Sequence, residues 1–320
     1  MTRQQGSSTT TSKAHPMTYD LNDGSAQRVC EIVQALEATG DYRVLQRLKP
    51  HDEFSQLPAD QPIKVGIILD VETTGLDTRT DQVIELGITR FAYNADGQVA
   101  RVLSTFNSFN EPTVAISETI TELTGISDAM VAGHHIDPAA VAPFVSGASL
   151  VIAHNAKFDR PFAERYWPDF KHVPWACSLT QVDWRALGFD GVRLTHLLGH
   201  IGLFHEAHRA LDDCNALLEI LAHELPSTGK PVLSLLLDEA RRKTVRIWAE
   251  SSPFDLKDEL KRRKYKWNDG SDGRPKSWYV DVDESRQHDE VAFLRKEIYR
   301  RDVDLNIQSL DALLRFSNRI

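Results

Sequence analysis

The chain has 320 residues, 26% of them charged and 41% hydrophobic, a globular composition with enough length for two domains. The net charge of −9 is unevenly spread: residues 241–301 hold 17 Lys/Arg against 12 Asp/Glu, and the remainder is strongly acidic. No charge-free apolar run spans a bilayer and no signal-peptide pattern opens the chain. The three cysteines (Cys30, Cys177, Cys214) lack metal-ligand spacing, so a reducing, cytoplasmic setting is expected with Cys177 and Cys214 as packing residues. Residues 1–20 are polar and Ser/Thr-rich and read as a disordered tail. Val29, Ile32, Val33 and Leu36 have helical spacing, and residues 41–48 extend that pattern, so 21–60 reads as a helical extension. Residues 63–71 (IKVGIILDV) are apolar and β-branched, as in a strand buried on both faces. Residues 82–92 and 99–106 are strand-like around an NADG turn at 94–97, and 149–153 is a further short strand. Helices are expected from about Phe158, over 194–201 and over 209–223. Together these describe an α/β domain around one mixed sheet, residues 61–225. PSTGKP (226–231) reads as a linker, followed by an amphipathic helix, so that 226–244 joins a small basic α+β domain at 245–320.

Three motifs carry the chemistry. The first is Asp70-Val-Glu72-Thr73-Thr74-Gly75. Side chains two apart on a strand share a face, so Asp70 and Glu72 emerge together where the strand ends. Two carboxylates there repel and are costly to desolvate unless a cation sits between them, and an oxygen-only set suits Mg²⁺ or Mn²⁺. A solvated turn is the plain alternative. The second motif runs from Val151 through His154 and Asn155 to Asp159, in the first turn of a helix, where an acid also complements the helix dipole. The third is His208-Arg-Ala-Leu-Asp-Asp213. Asp213 shares the helical stripe of Leu217 and Ile220 and faces the core side, whereas Asp212 shares the stripe of Asn215 and Glu219 and faces water. An acid on the apolar stripe needs a partner, and a metal shared with Asp70 supplies one. His208 is expected before the helix, on a loop.

In this order the motifs resemble the DEDDh exonuclease family, which includes the proofreading epsilon subunit of bacterial DNA polymerase III. The matching residues are Asp70, Glu72, Asp159, His208 and Asp213. Residues 120–126 (ITELTGI) also look like the family's loop beside the terminal nucleotide. The resemblance implies a ribonuclease-H-like mixed five-stranded sheet flanked by helices. It implies a 3′→5′ exonuclease that releases nucleoside 5′-monophosphates with two Mg²⁺ or Mn²⁺ ions. In that scheme Asp70 bridges both ions, Glu72 and Asp213 hold the first, Asp159 supports the second, and His208 is the general base. Thr73, Thr74, Gly75 and Asn155 are expected beside the substrate.

The carboxyl-terminal stretch 254–267 (FDLKDELKRRKYKW), with Lys276-Ser-Trp-Tyr279, interleaves basic and aromatic residues. Lys261, Arg262, Arg263, Lys264 and Lys266 are expected along a phosphate backbone, with Tyr265 and Tyr279 as stacking candidates and Trp267 and Trp278 read as core. Gln308-Ser-Leu-Asp-Ala-Leu-Leu imitates a sliding-clamp peptide, but Ser309 as a helix N-cap explains it better. The expected partners are single-stranded 3′ ends, DNA ahead of RNA, and a polymerase or repair complex, with the protein cytoplasmic and at the nucleoid while acting on DNA. An exoribonuclease and a non-catalytic binding module are the competing readings.

Overall fold

The computed structural model describes residues 25–58, 60–271 and 273–320. The expected tail at 1–20 lies outside them. The chain divides into two compact units, the first ending at Gln46 and the second running from Arg47 to Ile320. In the first, helix α1 (Ser25–Ala38) ends in a turn at Thr39–Gly40, with Gly40 at φ +77°. The chain beyond Asp41 is extended, not a continuation of the helix.

The second unit is built on a mixed five-stranded sheet of order β3-β2-β1-β4-β5, the form the resemblance implies. Strands β1 (Lys64–Thr73), β2 (Val83–Tyr93) and β3 (Val99–Phe109) are antiparallel neighbours. Strands β4 (Leu150–Ala153) and β5 (Trp175–Cys177) run parallel to β1 on its other side. The apolar run of β1 is explained by cover on both faces. Ile68 packs into one cluster with Leu217, Leu221 and Trp184, whereas Ile67, Leu69 and Val71 pack into another with Phe162 and Trp175. Helices α2 (Glu118–Thr124) and α3 (Pro138–Val145) precede β4. Helix α4 (Ala156–Tyr166) follows it directly, two residues earlier than the sequence pattern suggests. Helices α5 (Leu194–His200) and α6 (Ala210–Ala222) cover the Ile68 face.

Residues 226–231 form a tight turn in which Leu225 N–H donates to Lys230 O at 2.9 Å. Helix α7 (Val232–Arg241) then packs Val232, Leu233 and Leu236 into the Ile68 cluster. At the NADG turn, Gly97 (φ +81°) lets the chain approach the Ser234 backbone; a Cβ there would fall 2.5 Å from Ser234 N.

A second, antiparallel sheet of order β9-β6-β8-β7 follows. It comprises β6 (Thr244–Ala249), β7 (Lys266–Asn268), β8 (Ser277–Asp283) and β9 (Asn306–Leu310). Helices α8 (Lys257–Arg262) and α9 (Gln287–Phe293) accompany it, around a core containing Ile247, Leu260 and Ile298. Three sequence readings change here. Ser309 is a strand residue opposite Val245, so neither an N-cap nor a free clamp-like peptide describes it. Tyr265 is buried with its hydroxyl donating to Glu290 at 2.9 Å, which removes it as a base-stacking platform. Trp278 packs against the core as expected, but Trp267 on the edge strand is 51% exposed.

Candidate active site

The open end of β1 delivers the first pair of acids. Asp70 and Glu72 project on the face covered by α6, and a register shift between Glu72 and Thr73 ends the regular pairing with β2. The turn beyond is closed by one side-chain and one backbone hydrogen bond. Thr73 Oγ1 donates to Gly75 O at 2.7 Å and Thr74 N–H donates to Gln82 O at 2.8 Å. Asp159, in the first turn of α4, is buried and its Oδ1 accepts the Val71 N–H at 3.3 Å, which fixes it beside the same strand end. Asn155 begins α4 at φ +111°, a costly conformation for a residue with a Cβ, and His154 is held between Ser178 Oγ and Val192 O, each at 2.8 Å.

Helix α6 supplies the remaining acid. Asp212 is exposed and Asp213 half-buried. His208 lies two residues before the helix with φ +67° and an exposed side chain, and its N–H donates to Asp213 Oδ2 at 3.0 Å. The other Asp213 oxygen meets His205 Nε2 at 2.6 Å. Ligand atoms of Glu72, His208 and Asp213 all lie within 4.8 Å of one another.

Two features that the sequence reading missed hold α6 against the sheet. Gly87 on β2 faces the start of the helix so closely that a Cβ would fall 2.4 Å from the Ala210 carbonyl carbon. Glu85, fully buried on β2 opposite Glu72, accepts two hydrogen bonds from the Arg209 guanidinium (2.9 and 3.2 Å) and one from Ala210 N–H (3.1 Å). An acid inside the apolar run 82–92, and an arginine beside His208, were the available signals.

The electrostatics follow from this crowding. Burial, then Asp159, Asp213 and Glu72, raise the Asp70 carboxyl well above its ordinary range. Glu72 is pushed up to about 8 by burial and by Asp213 and Glu85, against the opposing pull of Arg209. Asp159 is pushed up to about 7, chiefly by burial and despite the Val71 N–H bond. The Cys214 thiol is raised by burial and by Asp70, so it packs rather than reacts. The nearby cation, Arg209, is already committed to Glu85. Four carboxylates converging from three elements and raising one another fit a divalent-cation site of oxygen ligands.

Three of the expected basic residues are paired with acids of the second sheet's domain. Lys261 pairs with Asp258 at 3.5 Å, Arg262 with Glu259, and Arg263 with Glu290 at 2.6 Å. Lys264 adopts φ +65°. Among the described residues, none of these four makes a hydrogen bond or ion pair with the four carboxylates. Within the basic stretch 241–301, Arg295, Lys296, Arg300 and Arg301 line an open hollow together with Asp302, which pairs with Arg295 at 2.9 Å.

The family described as Exonuclease (RNase T) matches residues 67–221, the segment that carries all five DEDDh positions. The chain is 32% identical over 161 residues to a PolC-type DNA polymerase III of Clostridium perfringens, which covers 48% of the chain and 11% of that polymerase. It is 31% identical over 174 residues to the DNA polymerase III subunit epsilon of Treponema pallidum, covering 50% of the chain and 78% of that subunit. A solved E. coli exonuclease I–ssDNA complex in its zinc-bound form aligns with 73% of the chain and 71% of its own, at 15% identity and a TM-score of 0.49. The chain thus spans only about a tenth of the PolC-type polymerases it matches. The epsilon subunit, by contrast, is matched along most of its length, and on that relationship the chain belongs to the DEDDh-type exonuclease family.

Proposed function

We propose that the protein is a metal-dependent 3′→5′ exonuclease that acts on single-stranded DNA ends and releases nucleoside 5′-monophosphates, in repair or proofreading. The observation that carries this reading is the convergence of Asp70, Glu72, Asp159 and Asp213, each from a fixed element, with His208 at their edge. The four carboxylates would hold two Mg²⁺ or Mn²⁺ ions, which when bound supply positive charge to the scissile phosphate and favour ionisation of water. His208 takes the proton of the attacking water at a ring nitrogen, which its exposed position on the loop allows. The water oxygen bonds to phosphorus, the P–O3′ bond breaks, and the shortened strand keeps a 3′-hydroxyl. Thr73, Thr74, Gly75 and Asn155 border the terminal nucleotide. The polymerase III names of the relatives support DNA over RNA, and support a polymerase or repair complex as partner in the cytoplasm, at the nucleoid. Lys261, Arg262, Arg263 and Lys264 remain candidates for backbone contact: exposed ion pairs such as Lys261–Asp258 are worth little and yield to a phosphate, whereas Arg263, paired with the buried Glu290, would reach one through the N–H groups that Glu290 does not take.

The test uses 5′-labelled single-stranded DNA and RNA with Mg²⁺, with Mn²⁺ and with EDTA, and Asp70→Ala in parallel. A metal-dependent ladder shortening from the 3′ end, lost in the variant and stronger on DNA, is expected. Folded protein that cleaves neither oligomer with either metal would sink the reading.

A further inference from the structure

After β9 the chain leaves the second sheet and returns to the first. Ala312 O accepts the Trp175 N–H at 2.8 Å, on the edge strand β5. The return is received by Arg160, the residue after Asp159 and fully buried. Its Nη1 donates to Ala312 O (3.1 Å) and Arg315 O (2.6 Å), its Nη2 to Leu313 O (2.6 Å), and its Nε to Glu164 Oε1 (2.7 Å). From the terminal segment Arg319 closes the circuit, donating to Glu164 Oε1 and Leu313 O at 2.8 Å each. Phe316 packs into the cluster that contains Phe162. Arg315 ties the base of the segment to the Arg242 carbonyl at 2.7 Å, just beyond α7. The planar guanidinium fork is matched to the carbonyls of Ala312, Leu313 and Arg315.

We infer that residues 311–320 form a strap that completes the catalytic domain, with Arg160 as the positioning residue through which the strap holds α4 and hence Asp159. The physical reason is the cost of the alternative. Without the strap a buried guanidinium keeps one acidic partner and loses its carbonyls, and a buried charge with unmet donors forces its helix to shift or fray. Asp159 is one residue away on that helix, where its Oδ1 accepts the Val71 N–H. The terminal segment is therefore part of the acidic site's support rather than the tail of a detachable accessory domain. The inference rests on the exonuclease reading for the role of Asp159.

The experiment compares full-length wild type, Arg160→Met, the strap variant Phe316→Ala/Arg319→Ala, and Ile298→Val in the second sheet's core as a control for general destabilisation. Two quantities are read: the Mn²⁺ concentration that half-saturates the rise in melting temperature, and amide exchange across residues 156–166. Loss of a residue that orients a metal ligand raises the Mn²⁺ midpoint about 10-fold or more. That shift, with faster α4 exchange, is expected in Arg160→Met and in the strap variant and not in Ile298→Val. Folded variants with a wild-type Mn²⁺ midpoint overturn the inference, even where α4 exchanges faster, because the strap would then be structural only. Should Arg160→Met fail to fold, the strap variant decides alone. Should Mn²⁺ fail to stabilise wild type, the exonuclease reading fails separately, and wild-type α4 protection in the strap variant would still overturn the strap.

Discussion

His205 Nε2 meets Asp213 Oδ1 at 2.6 Å, with the imidazole nearly enclosed and its Nδ1 without a hydrogen-bond partner among the described residues. Since the His208 N–H occupies Oδ2, both oxygens of this carboxylate are directed by the loop that also presents His208. An acid so held is pre-oriented toward Glu72. Replacing His205 by Ala frees Asp213 to rotate, and the expected result is a metal half-saturation about 10- to 100-fold weaker, as for other residues that orient ligands. Calorimetric titration with Mn²⁺ reads this directly. Tighter binding in the variant would mean that His205 competes with the cation instead of orienting its ligand.

The placement of α6 rests on Gly87 and on the Glu85–Arg209 pair. Gly87→Ala would set a Cβ 2.4 Å from the backbone of Ala210, so the helix must move. Overpacking of this kind costs about 1–3 kcal/mol, read as a lower urea midpoint. A displacement of α6 by about 1 Å would carry Asp213 with it and lower kcat on the order of 100-fold. Normal kcat in a destabilised variant would show that the sheet, rather than the helix, absorbs the strain.

Arg209→Ala leaves the buried Glu85 without its main partner. The expected cost is about 3 kcal/mol, near the lower end for breaking a buried pair because Arg209 is partly exposed. Arg209→Ala/Glu85→Leu, which removes both charges, should recover much of it. A double variant no more stable than the single one would mean that the Ala210 N–H bond to Glu85 matters more than the ion pair.

Glu72 and Asp159 have pKa values pushed up to about 8 and about 7, and Asp70 is raised with them. A carboxyl with a raised folded pKa keeps its proton in the fold after the unfolded chain has lost it. The stability that these three groups contribute is therefore greatest below the unfolded value, near pH 4, and falls as pH climbs toward the folded value. Between about pH 4 and pH 8 the metal-free protein should lose melting temperature continuously. Cations require the ionised carboxylates, so the increment given by Mg²⁺ should grow over the same interval. Melting curves at pH 5, 6, 7 and 8, with Mg²⁺ and with EDTA, test both slopes. A metal-free melting temperature that rises toward pH 8 would mean that the acids are not desolvated together.

Strand β1 and the acids at its end were legible because the signal is local: an apolar run, then carboxylates two apart. The phase of Asp213 on α6 was legible for the same reason, since Leu217 and Ile220 mark the buried stripe. What escaped was joined across long stretches of chain. Glu85 and Arg209 are 124 residues apart, and Arg160 meets Ala312 across 152. No period or cap marks such a pair. Ser309 was misread because Gln308 to Leu314 looks helical in isolation, while pairing of β9 with β6 decides its conformation. Trp267 was assigned to the core on residue type alone, and an edge strand leaves it exposed.

His208 sits close enough to Glu72 and Asp213 to be taken for a ligand, and its role can be separated from theirs. Its backbone is in the left-handed region, which asparagine tolerates better than alanine, and asparagine cannot accept a proton as imidazole does. His208→Asn should therefore keep the loop and the N–H bond to Asp213 while removing the base. If His208 is the general base of the proposed mechanism, the variant should lose on the order of 10²- to 10⁴-fold in kcat with an unchanged Mn²⁺ midpoint. A ligand would behave differently: the Mn²⁺ midpoint would rise, and excess metal would restore much of the rate. Single-turnover rates on a labelled oligomer, taken across a Mn²⁺ series, distinguish the two, and recovery of rate at high Mn²⁺ would move His208 from base to ligand.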